Sequence, residues 1–152
     1  MHRLHLLLLI LFALTFTGCS YAVEFVVVNE SNQPIEVQCK IDGPGDPAGV
    51  VGPLSVVNTS QLRAGDRAWR KLSDGEYKVE SDGRTVAARV MPGEALLVKR
   101  LHDTSIKNGE PAYFPIEEIV IAGAKGEIKL HGKQVPKAFI AETDRLFILA
   151  YK

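Results

Sequence analysis

Two cysteines, one tryptophan and no surplus of either charge set the first limits on this chain of 152 residues. The 18 basic and 18 acidic residues cancel, so no long-range field draws in nucleic acid or an anionic membrane. This balance is evidence against nucleic-acid binding. Histidine is scarce too. Two of the four lie in the first five residues, leaving His102 and His131. A zinc site needs three or four converging ligands, and two distant histidines do not supply one. No metal or cofactor is expected. The longest apolar run, Leu4 to Phe16, is shorter than the about 20 residues of a spanning helix. No internal repeat or low-complexity segment is present.

What the chain does have is concentrated at its start. Met1-His2-Arg3 is basic, Leu4 to Phe16 is almost uninterruptedly apolar, and Thr17-Gly18-Cys19 is small. That order is the layout of a secretory signal peptide. Phe16-Thr17-Gly18-Cys19 also resembles the lipobox of bacterial lipoproteins. Thr17, Gly18 and Cys19 fit that pattern; Phe16 departs from it, since Leu or Val is usual there. The resemblance covers the signal region alone. It implies a diacylglyceryl thioether on Cys19, cleavage before Cys19 and acylation of the new amine. It further implies, from Ser20 after the acylated cysteine, an outer-membrane home facing the periplasm. The second reading is ordinary signal peptidase acting after Ser20-Tyr21-Ala22 and releasing Val23 as the first residue. The domain plan is therefore 1–18 signal peptide, 19–22 tether and 23–152 a single folded domain. A strand-like run already begins at Val23, so the anchor leaves almost no tether.

The remaining chain is one domain's worth of residues. Val23 to Val28 is β-branched and reads as a strand, hairpinned through Asn29 to Pro34 onto a second one at Ile35 to Ile41. In the second strand Ile35, Val37, Cys39 and Ile41 alternate with polar residues, so Cys39 points into the core as a small hydrophobe. Asp42 to Pro47 is a loop, and Val50 to Val57 reads as a strand broken at Gly52-Pro53. Tyr77 to Ser81 and Arg84 to Met91 read as a hairpin around a two-residue Asp82-Gly83 turn. Pro92-Gly93 turns the chain into Ala95 to Leu101. Ile116 to Ile121 and Glu127 to Leu130 follow, with Gly123 and Gly126 around the turn between them. Leu146 to Tyr151 is apolar on both faces, which places it centrally. Short helices fit within Ser60 to Trp69 and Pro136 to Glu142, although neither has a sustained apolar stripe. The sum is an all-β antiparallel sandwich. The immunoglobulin-like sandwich is the nearest common architecture, without its disulfide and strand-C tryptophan.

Catalytic motifs are weak. Leu101-His102-Asp103-Thr104-Ser105 holds triad residue types, but neighbours on an extended chain diverge, whereas a triad is assembled from separate segments. Gly126 to Lys133 has the wrong spacing for a phosphate loop and alternates like a strand. Glu117 and Glu118, adjacent on a strand, are expected on opposite sides. One cluster is a candidate partner contact: Arg63, Arg67, Arg70 and Lys71 around Trp69, suited to headgroups, acidic sugars or a protein. Against it stands Trp69 as a core residue beside a solvated face. Tyr113-Phe114-Pro115 is either an exposed aromatic tip or a plug for one end of the sandwich. The sequence thus points to an exported, lipid-anchored envelope protein that binds or scaffolds a protein or glycan without catalysis. The alternatives are a small periplasmic hydrolase and a soluble periplasmic binding module released after Ala22.

Overall fold

The computed structural model describes residues 21–102, 106–107, 110–111 and 113–152. The signal-type segment and Cys19 lie outside the described residues, as do Asp103, Thr104 and Ser105. The fold is an all-β sandwich of a six-stranded and a five-stranded sheet.

The first sheet is organised around β1 (Ala22–Asn29), whose sequence AVEFVVVN is buried on both faces. Val23, Phe25 and Val27 face the second sheet; Val26 and Val28 face outward into a smaller apolar cluster. A strand apolar on both sides must be covered on both sides. The inter-sheet core and the outer cluster cover its faces, and within its own sheet β1 pairs with β7 (Glu94–His102) and β13 (Leu146–Tyr151). β3 (Ser55–Asn58) and β4 (Arg70–Lys71) extend the sheet beyond β7, and β12 (Ile140–Thr143) is the edge beyond β13. The second sheet runs β11 (Gly126–His131), β10 (Ile116–Gly123), β2 (Ile35–Ile41), β6 (Thr85–Val90), β5 (Tyr77–Val79). A separate two-stranded ribbon pairs β8 (Ile106–Lys107) with β9 (Glu110–Pro111).

Several expectations are corrected. Among the described residues the ladders are antiparallel except one: β1 and β13 run parallel, with Phe25 beside Phe147 and Val27 beside Leu149. Nor does β1 form a hairpin with β2, which lies in the other sheet. The chain crosses between sheets around Asn29, which is fully buried. Its amide donates to the Gln33 and Val90 carbonyls, and its oxygen accepts from the Ser31 N–H and hydroxyl. The expected Val50–Val57 strand is confined to its second part: Val50 and Val51 end a helix, Gly52 to Leu54 are irregular, and the strand starts at Ser55. α1 (Pro47–Val51) starts behind Asp46, whose carboxylate accepts the Ala48 and Gly49 N–H groups, with Pro47 as the first helical residue.

The Asp82-Gly83 tip is wider than a two-residue turn. Its strands end at Val79 and Thr85, and Asp82 accepts the Arg84 and Thr85 N–H groups. The turn between β10 and β11 does fall between Gly123 and Gly126, which are paired. Short helices α2 (Thr59–Arg63) and α3 (Gln134–Lys137) lie in or overlap the two regions expected to hold them.

Two bulges re-aim charged residues. Pairing of β1 with β7 passes from Val26 opposite Leu97 to Phe25 opposite Lys99, leaving Val98 as the extra residue. This phase change puts Arg100 directly opposite Glu24. In β10, Ile116 pairs with Ile41 and Glu118 with Lys40, so Glu117 is extra. Ile116 and Ile119 are both buried, and Glu117 and Glu118 share the outer side. Strict alternation had them on opposite sides.

Candidate functional site

The residues around Trp69 form separate ion pairs. Arg63 meets Glu30 at 2.6 Å, and Arg70 grips both oxygens of Glu76 at 2.9 Å. Arg67 and Arg100 clamp Glu24, at 2.9 and 2.7 Å. Glu24 is almost wholly buried on the outer face of the first sheet, so charge-assisted bonds from two guanidiniums satisfy its oxygens. Lys71 is exposed on β4. Trp69 is half-buried and packs on the outer cluster of Val26, Val57 and Leu62. Its indole N–H is buried and meets no acceptor among the described residues. The tryptophan closes a second small core, and neighbouring carboxylates neutralise three of the cations around it.

The other sequence candidates separate similarly. Phe114 is a plug: its ring lies 4.9 Å from Phe25, which also meets Phe139 at 5.5 Å and Phe147 at 5.0 Å. Tyr113 beside it is exposed. His102 ends β7 on the surface. Cys39 is buried, and burial pushes its thiol up to about 12, which leaves it protonated and inert.

The structure also assembles a site that local sequence patterns do not show. A cleft of about 660 Å³ opens where β2 ends and β10 begins. Asp42, Tyr113, Phe114, Glu117, Lys133 and Lys137 contribute to its lining. Three stretches of chain build it. The end of β2 presents Asp42, whose N–H bonds the Pro115 carbonyl at 2.9 Å. The aromatic plug supplies Tyr113 and Phe114, the β10 bulge Glu117, and the turn entering α3 Lys133. Gly132 adopts φ 54° at that turn and donates to the Glu117 carbonyl at 2.7 Å. This bond joins the bulge to the turn.

The Glu117 carboxylate is held by Arg84 at 2.8 Å and approached by His131 at 3.4 Å. Arg84 also donates to the Ile41 and Gly43 carbonyls, so the pair ties the β6 start to the β2 end. Glu118, by contrast, pairs with Lys129 at 3.0 Å. A shallower groove of about 450 Å³ adjoins the cleft and shares Lys133 and Lys137. Aromatic surface with charges of both signs can stack against and orient an amphipathic ligand. The sequence signal for this site was the Tyr113-Phe114-Pro115 motif, with Glu117 just beyond it; Asp42, Lys133 and Lys137 come from other segments.

Comparison with protein families, curated proteins and solved structures finds no match to this chain.

Proposed function

We propose that the protein is an exported lipoprotein of the bacterial envelope, attached through Cys19, whose sandwich binds or scaffolds another envelope component without catalysis. The observation that carries this reading is the place of Tyr21. Its ring packs on the core and lies under the Arg145 guanidinium at 4.4 Å. Ala22 next to it is already paired with His102. Cleavage after Ala22 would cut both residues away from the fold. Cleavage before Cys19 keeps them, which favours the lipobox-like site over ordinary signal peptidase. The binding half of the reading is supported by the cleft, where an exposed aromatic ring stands beside charged side chains of both signs.

Fractionation of the producing cell tests the anchor. Wild-type protein should pellet with membranes, and Cys19→Ser should lose the acyl chains and leave the salt-washed membrane fraction. A Cys19→Ser protein that stays in that pellet contradicts a lipid anchor as the sole attachment. Affinity capture from envelope extracts tests the binding half, comparing wild type with Tyr113→Ala and Trp69→Ala. Loss of a captured component in Tyr113→Ala alone assigns binding to the cleft; equal capture by all three forms removes both surfaces.

A further inference from the structure

We infer that the end of the sandwich where β1 begins lies on a phospholipid surface, with Tyr113, Lys133 and Arg145 meeting the headgroups. The inference rests on Cys19 being the anchor, as proposed above; it adds which face of the domain the anchor brings to the membrane, and it names the lipid headgroups as the envelope component met at the cleft end.

The first argument is topological. The described chain begins at Tyr21. Tyr21 precedes Phe25 by four residues along the same face of β1, and Phe25 meets Phe114 of the cleft end at 4.9 Å. At this end β2 finishes at Ile41 opposite the Ile116 start of β10, and β11 finishes at His131. Chain entry and cleft therefore share one end. The opposite end carries Asn29, the seventh residue along from Ala22, or about 23 Å away at the rise of a strand.

The second argument is reach. Two peptide steps separate Cys19 from Tyr21, a span of at most about 7 Å. Acyl chains on Cys19 would bring Tyr21 to the headgroup layer and keep Asn29 well away from it.

The third argument is chemical. Tyr113 is 60 % exposed, and a tyrosine ring with its hydroxyl suits the boundary between tails and water. Lys133 is exposed on the cleft rim, and the Arg145 side chain is 53 % exposed beside Tyr21. Both are long cations able to reach lipid phosphates. The acidic groups at this end include Glu117, held by Arg84, Glu24, held by Arg67 and Arg100, and the exposed Asp42, Glu142 and Asp144. Asp144 lies 3.8 Å from Arg145. The end is therefore mixed in charge, and the whole chain is neutral. Steering is not required, because the tether supplies the proximity that a long-range field otherwise would; short-range phosphate contacts then fix orientation.

Fluorescence quenching at two positions tests the inference. Tyr113→Cys reports the near end and Asn32→Cys the far end, each labelled with an environment-sensitive thiol dye; Cys39 is buried and stays silent. The acylated proteins are reconstituted in vesicles of phosphatidylethanolamine and phosphatidylglycerol containing a headgroup-linked quencher. Quenching should be several-fold stronger at position 113 than at position 32. Lys133→Gln and Arg145→Gln should each lower the docked population by roughly fivefold, as expected for one cation at a lipid surface. Equal quenching at both positions, with acylation of Cys19 confirmed by intact mass, overturns the orientation and leaves the anchor standing. Absence of acyl chains on Cys19 overturns the anchor itself and the inference with it.

Discussion

The Tyr151 hydroxyl donates to the Gly126 carbonyl at 2.9 Å and accepts the Lys125 N–H at 3.2 Å, latching the last strand of one sheet to a hairpin of the other. The ring passes so close to Gly123 that a Cβ there would lie 2.7 Å from the Tyr151 oxygen and 2.9 Å from Ile35 Cγ2. Both neighbours belong to the packed core. Gly123→Ala should therefore cost about 1–3 kcal/mol by overpacking, and Tyr151→Phe about 1 kcal/mol for the lost bonds. Urea unfolding measures both. A neutral Gly123→Ala would mean that the sheets are not held this closely.

The Phe25 ring, near the start of the parallel pairing, is fully buried and contacts three other phenylalanines. Phe25→Ala should cost about 3–5 kcal/mol. Ile140, on the edge strand and 75 % exposed, should tolerate alanine within about 0.5 kcal/mol. Thermal melts of the two variants provide the comparison. Similar losses for both would place Phe25 outside the core.

Acid should weaken the tie between β4 and the loop before β5. Hydrogen bonds from Arg70 and from Ser73 hold the Glu76 carboxyl down at about 2, against 4.5 for an unperturbed group. A folded-state value below the unfolded one means stability that is fully present above pH 4.5 and lost as pH falls towards 2. Carbon-detected NMR titration of Glu76 should give a midpoint well below the ordinary carboxylate range, and Arg70→Ala should raise it, the bonds from Ser73 keeping it below the unperturbed value. A midpoint near 4.5 in the wild-type protein refutes the pairing.

Cys39 should be silent towards thiol reagents in the folded protein. Its thiol is buried beneath the second sheet and its ionisation is pushed up to about 12 by that burial. Labelling with an aromatic disulfide reagent should follow the unfolding transition in denaturant. Prompt labelling under native conditions would show that β2 opens locally.

The parts of the fold legible in the sequence are those written in short-range periodicity and turn chemistry. Ile35, Val37, Cys39 and Ile41 do line the core, and Leu146 to Tyr151 does occupy the sheet interior. Long-range pairing was not legible. The parallel partnership of β1 with β13 joins segments more than a hundred residues apart, and β1 reads equally well as a hairpin partner of β2. Bulges at Val98 and Glu117 were hidden as well, because an extra residue shifts a pattern without interrupting it. The cleft was illegible for a related reason. Asp42, the Tyr113–Glu117 stretch and Lys133 come from separate segments and are united only by the sheet end they share. The Trp69 cluster reads as a basic patch because Glu24 and Glu30, which hold Arg67 and Arg63, come from a distant part of the chain; Glu76, which holds Arg70, lies six residues beyond it.

Lipid attachment at Cys19 is the claim on which the orientation of the domain depends. Intact mass spectrometry of protein purified from membranes of its native host tests it most directly. The account predicts a chain that begins at Cys19 and carries the added mass of a thioether-linked diacylglycerol and an amide-linked acyl chain. A chain beginning at Val23 with a free amine, or one retaining Met1, would contradict it.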